Sequence, residues 1–172
     1  VSAHLGNWEI GGNKIHERVS SCINIVTLDN EVEKIKEFIE MKTGGPKYNI
    51  IPIKEGDISH LIAIKQALDR NELIAVHADR SMKNGSHKKM DFLNNKANFS
   101  LGPFILASKL KVPVAFVFGI KTGRYHYTLT ALDAPNEDAT PDSLLDAYVN
   151  CLEGFVKKYP TQWYNFFNYY VD

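Results

Sequence analysis

The stretch Leu73–Ser81, LIAVHADRS, decides how the rest of the chain is read. Its first six residues form a short apolar run of the kind that fills a buried strand. The run stops on two charged residues, Asp79 and Arg80. In open α/β sheets, ligands gather outside the carboxyl ends of the strands. Charged residues at such an end are therefore the first place to look for chemistry.

Three other runs read the same way: 23–28 (INIVTL), 49–53 (NIIPI) and 113–118 (PVAFVF). Helical patterns separate them. In 30–41, Val32, Ile35, Phe38 and Ile39 share a face, with Asn30 and Glu33 spaced as a capping box. In 58–69, Asp57 stands at the cap and Leu61, Ile62, Lys65 and Leu68 follow at helical spacing. Pro103 suits the first turn of a helix over 103–111. The longest helix is expected from about 141 to 158, capped by Thr140, with Leu144, Leu145, Tyr148, Leu152, Phe155 and Val156 as its stripe. Residues 124–130 (RYHYTLT) alternate, as an antiparallel strand near a sheet edge does. Alternating strands and helices imply an α/β layer fold, a mostly parallel central sheet flanked by helices. With no repeat and no low-complexity linker, residues 1–172 read as one domain.

Composition narrows the partners. Twenty basic and twenty acidic residues give no net charge, which argues against a nucleic-acid surface, where Lys and Arg are in excess. Cys22 and Cys151 lie far apart and form no Cys-x-x-Cys, as expected of reduced, buried thiols in a cytosolic setting. No apolar run approaches the roughly 18 residues of a membrane span. His16, His60, His87 and His126 form no metal-ligand spacing, so no metal is expected. His77, inside the deciding run, reads as a satisfied core or sheet-face residue.

A second stretch carries the chemistry: "SAHLGNWEI", residues 2–10, has Glu9 five positions after His4. With six histidines and a roughly one-in-nine acidic frequency, about 0.7 such pairs arise by chance. On one continuous helix the two would sit about 140° apart. A turn at Gly6 removes that obstacle and lets Glu9 reach back to the imidazole. A carboxylate on Nδ1–H fixes the tautomer and leaves Nε2 as a general base. On the residues alone, a surface histidine beside a helix-capping glutamate explains the pair as well.

Taken together, four stretches resemble one family. "SAHLGNWEI" looks like the His-x4-Glu block of the bacterial lipid A biosynthesis (lauroyl/myristoyl) acyltransferase family, within the lysophospholipid acyltransferase superfamily. "LIAVHADRS" (73–81) resembles its apolar strand ending in an Asp-Arg turn. "NFSLGPFILASKLKVPVAFVF" (98–118) resembles its Gly-Pro helix followed by a Pro-Val strand. "KYPTQWYNFF" (158–167) is similar to the Tyr-Pro-x-Gln-Trp signature of an acyltransferase branch of the superfamily.

The resemblance implies a glycerol-3-phosphate-acyltransferase-like fold and acyl transfer without a covalent acyl-enzyme. The donor would be a thioester, acyl-carrier protein or acyl-CoA, entering as a substrate with no bound cofactor. The acceptor would be a hydroxyl or amine of a lipid A precursor, a lysophospholipid or an aminoacyl lipid. His4 would be the base, oriented by Glu9, while Asn7, Asp79, Arg80, Phe99 and Gly102 would contact substrate. The absence of a Gly-x-Ser-x-Gly elbow fits direct transfer. A thioesterase-like hydrolase using the same base, or a lipid- or carrier-binding module without turnover, are the rival readings.

Relatives of this kind usually carry a membrane anchor. The chain, starting at Val1, is thus expected to be an N-terminally truncated fragment of an enzyme at the cytoplasmic face of the bacterial inner membrane. The polar segment 81–98, with Asn84-Gly85 as its turn, reads as a solvated hairpin. The aromatic tail from Tyr159 to Tyr170 is expected mostly in the core, with some rings lining an acyl groove.

Overall fold

A computed structural model describes residues 1–8, 21–33, 35–36, 48–54, 56–81, 85–135 and 139–171. The chain divides into two compact units, Gly12–Val76 and the discontinuous Val1–Gly11 with His77–Asp172. It is a mixed α/β protein with a parallel three-stranded sheet and two antiparallel strand pairs.

In the unit Gly12–Val76, β1 (Ile23–Leu28) is central, with β2 (Tyr48–Ile53) and β3 (Leu73–Ala75) parallel on either side. Ile23 and Tyr48 are buried, packed against Ile25, Ile35, Ile50 and Ala75. Helix α1 (Ser59–Asp69) buries Ile64 and Ala67. Asp57, expected as its cap, lies one residue before the N-cap Ile58, its carboxylate accepting from the Ser59 backbone N–H at 2.8 Å. The helix expected over 30–41 begins as a 3-10 turn, Asp29–Glu31. Residues 32, 33, 35 and 36 are helical, and the rest of that expectation lies outside the described residues.

The second unit is built around an aromatic core. Strands β4 (His87–Phe92) and β5 (Asn95–Ser100) form one hairpin, and β6 (Ala115–Lys121) and β7 (Tyr127–Asp133) form another. Helices α2 (Gly102–Leu110) and α3 (Pro141–Lys158) complete it. Thr140 caps α3, its Oγ1 accepting from Ser143 N at 3.1 Å. One face of α3 buries Leu144, Leu145, Tyr148, Val149, Leu152 and Val156. Around fully buried Tyr148, the rings of Phe99, Phe104 and Phe116 pack at 6.4, 5.5 and 5.5 Å. Each such ring contributes about 1.5–3 kcal/mol by burial, plus an increment from ring geometry.

Three expectations are corrected here. Parallel pairing dominates only one unit, because β6–β7 and β4–β5 are local hairpins and so antiparallel. The run 73–78 divides: Leu73–Ala75 pairs with β1, while His77 makes an isolated parallel bridge to Ser2. The hairpin in 81–98 turns at Leu93-Asn94, with positive φ of 52° and 63°, the two-residue geometry whose twist suits paired strands. Asn84 lies outside the described residues.

Residues 1–6 run parallel to β6. Val117 N donates to Val1 O at 2.9 Å and Asn7 N to Gly119 O at 2.6 Å. On the other side Gly6 N donates to Gln162 O and Tyr164 N to His4 O, each at 2.8 Å. Gly6 has φ +69°, and a Cβ there would lie 2.1 Å from Gly119 O. Only glycine fits this approach of two backbones.

Candidate active site

His4 stands where that packed segment meets the end of the deciding run. Its Nδ1 lies 2.9 Å from Asp79 Oδ1, and its backbone N–H donates to Asp79 Oδ2 at 3.1 Å. One carboxylate thus holds both the ring and the main chain of the same residue. Asp79 is 1% exposed. Burial pushes its carboxyl up, but the hydrogen bond and charge of His4, helped by His77, overcome this and leave it below the usual carboxylate range. Tyr169 OH donates to the Asp79 carbonyl. Tyr148 OH donates to Ser2 O at 2.9 Å, anchoring the chain two residues before His4. Burial raises both phenols well above their ordinary value, so both stay protonated donors.

With Nδ1–H committed to Asp79, Nε2 of His4 carries the lone pair. His77 Nδ1 is 3.4 Å from it, with ring centroids 4.5 Å apart at 70°. Burial first, then repulsion from His4, lowers the His77 pKa to about 4. His77 is therefore neutral near pH 7, an uncharged neighbour of His4.

His4 opens onto a cleft of about 750 Å³. Asn7 and Trp8 border it near the histidine, and Lys121, Arg124 and Tyr127 come from the β6–β7 hairpin. Gln162 fastens this hairpin to the tail: Lys121 N donates to its Oε1, and its Nε2 donates to Lys121 O, both at 2.9 Å.

The expected site residues are distributed unevenly. His4 and Asn7 line the cleft. Asp79 lies against His4, bonded to both its ring and its backbone N–H. Glu9 lies outside the described residues. Arg80 is tied to the tail, Nη2 donating to Tyr164 O at 2.7 Å and its guanidinium 5.3 Å above the Phe167 ring. Phe99 is fully buried against Phe92, Tyr148 and Tyr169. Gly102 opens α2. Neither Phe99 nor Gly102 is among the residues lining the cleft. His77, read from sequence as a satisfied core or sheet-face residue, sits against the His4 ring. The signal for it was present, since His77 and Asp79 lie two apart in one extended run and so face the same side. The tail is more exposed than expected: Tyr169 is buried, but Phe166 is 88% exposed and Tyr164, Phe167 and Tyr170 are also exposed.

Among the described residues no group of three or more His, Cys, Asp and Glu is placed to hold a metal. None of their helices is long and apolar enough to cross a membrane. Cys22 and Cys151 are free and partly buried, and burial raises the Cys151 thiol pKa.

Fold and site together define an α/β protein with a histidine, held by a buried carboxylate, beside an open cleft. The chain belongs to the bacterial lipid A biosynthesis acyltransferase family, whose model matches residues 1–170. It is thus an acyltransferase of the lipid type. Among curated proteins, none matches the chain.

Proposed function

We propose that the protein transfers a fatty acyl group from a thioester, acyl-carrier protein or acyl-CoA, to a hydroxyl or amine of a lipid or glycolipid acceptor, with His4 as general base. The single observation that carries this reading is the His4–Asp79 pair, 2.9 Å apart beside the cleft. Nε2 takes the proton of the acceptor as its oxygen or nitrogen attacks the thioester carbonyl. Asp79 stabilises the imidazolium that forms, since the carboxylate already accepts from Nδ1–H. When the tetrahedral intermediate collapses, the thiolate leaves and His4 returns the proton to it. No protein nucleophile enters, and no resident cofactor is needed for these proton transfers.

Asp79 is the orienting carboxylate in this reading. Glu9, which the resemblance makes the orienting residue, would act on the His4–Asp79 pair through its charge, since both ring nitrogens are already assigned in this reading. In this reading Asn7, which lines the cleft, contacts substrate, and Arg80 acts through the tail that it holds. The acceptor class puts the enzyme at the cytoplasmic face of the bacterial inner membrane, with the exposed rings of Phe166 and Phe167 suited to an interface.

The test is acyl transfer by the full-length enzyme from a thioester to lipid acceptors. His4→Ala is expected to lower the rate at least about a hundredfold. A rate equal to the wild type would refute the assignment. Fatty acid released equally with and without acceptor would make the enzyme a hydrolase. Binding without turnover would make it a binding module.

A further inference from the structure

Lys121 and Arg124 face the same cleft as His4, yet the acid–base steps use neither. Of the described residues lining that cleft, none is acidic, although the chain has as many acidic as basic residues. Among the described residues no carboxylate pairs with either cation. A solvated charge pattern would mix both signs; this wall carries one.

The wall is also preorganised. The loop between β6 and β7 is closed by Thr122 N and Gly123 N donating to His126 O at 2.9 and 3.3 Å, and by His126 N donating to Gly123 O at 3.4 Å. Gln162 grips Lys121 through both its backbone groups. The Arg124 guanidinium rests 5.2 Å from the Tyr125 ring centroid, which restricts its rotamers. Tyr127 supplies a phenol beside them.

From this we infer that Lys121 and Arg124 form a binding site for a phosphate ester of a substrate whose reacting group lies at His4. Arg offers a planar fork to two phosphate oxygens, and Lys adds a point charge. A phosphate ester can belong to the donor, through its phosphopantetheine arm, or to the acceptor headgroup. The placement beside a reacting group rests on the proposed function, but the phosphate affinity does not.

Calorimetry of the chain with coenzyme A and with glycerol 3-phosphate separates the two sources. One probe is expected to bind, and its identity assigns the source. Lys121→Gln and Arg124→Gln should each weaken that binding about tenfold, and added salt should weaken it further. In the acyl-transfer assay the same variants should raise KM for the phosphorylated substrate more than they change kcat. Both side chains are exposed, so circular dichroism should show an unchanged fold. Binding of neither probe, or variants that bind as the wild type does, would overturn the inference. His4→Ala should bind the probe unchanged. Loss of phosphate affinity with acyl transfer intact, or the reverse, therefore tells this inference's failure from that of the catalytic reading.

Discussion

Asn24 in β1 and Asp79, at the end of the LIAVHADRS run, are both nearly sealed from solvent, 2% and 1% exposed. Each would cost several kcal/mol if left unpartnered. Asn24 spends both its donors and one acceptor site inside its own unit. Its Nδ2 donates to Glu72 Oε2 at 3.0 Å and Leu73 O at 3.3 Å, and its Oδ1 accepts from Asn49 Nδ2 at 3.3 Å. The network closes across three strands and holds their register. Asp79 also has partners, but its chain of contacts ends on a histidine that is 28% exposed beside a cleft. A closed network stabilises; an open-ended one sets the state of the group at its end. The two clusters therefore make opposite predictions for stability and rate.

The largest expected effect is on rate. Asp79→Asn can offer the wrong atom to Nδ1 and so favour the wrong tautomer. It should lower kcat by about 10²–10⁴, with little change in KM. Steady-state kinetics with saturating thioester checks this, and a change confined to KM would return Asp79 to substrate binding.

Next comes Gly6→Ala. Its Cβ would collide with Gly119 O in a left-handed conformation, so backbones that flank His4 must separate. A stability loss of about 3 kcal/mol or more is expected, read from denaturant midpoints. Activity should fall with it, because the segment that carries His4 moves.

Asn24→Ala sharpens the contrast from the other side. It removes three hydrogen bonds at a buried position, to Asn49, Glu72 and Leu73 O, while Asn49 keeps Cys22 Sγ and Glu72 keeps Arg70, and should cost about 1–3 kcal/mol of stability. The kcat of the protein that remains folded should be unchanged. A selective loss of kcat would mean that the Asn24 network is not closed after all.

The smallest effect is that of His77. Its folded pKa of about 4 lies below the ordinary 6.5, so the unfolded chain takes up a proton that the folded chain refuses. Stability from this group is full above about pH 6.5 and is lost progressively as pH falls toward 4. Urea unfolding at pH 7 and 4.5 should show that loss, and His77→Asn should reduce it. Asp79, depressed in its folded pKa, adds a loss only at more acidic pH.

Much of the scaffold was legible because its cues are local. Asp57, Pro103 and Thr140 mark helix starts, and the α3 stripe repeats at helical spacing. Strand ends were less legible. Strand β6 starts two residues and ends three residues after its expected run, and β7 is displaced by three at both ends, because their register follows from the loop closed around Gly123 and His126. The β4–β5 turn was missed since Leu93-Asn94 lacks the glycine that usually marks positive φ. His4 was singled out by its motif, and Asp79 by its place at a strand end. Their pairing was not, because it joins residues 75 apart in sequence, and only the packing of residues 1–6 against β6 and the tail brings them together.

The central claim is that Asp79 fixes His4 with its proton on Nδ1 and its lone pair on Nε2. Long-range ¹⁵N–¹H correlation spectra of the folded chain at neutral pH report this directly. The account predicts His4 in the Nδ1–H form, losing that preference in Asp79→Asn. An Nε2–H tautomer in the wild type, or one indifferent to Asp79→Asn, would contradict it.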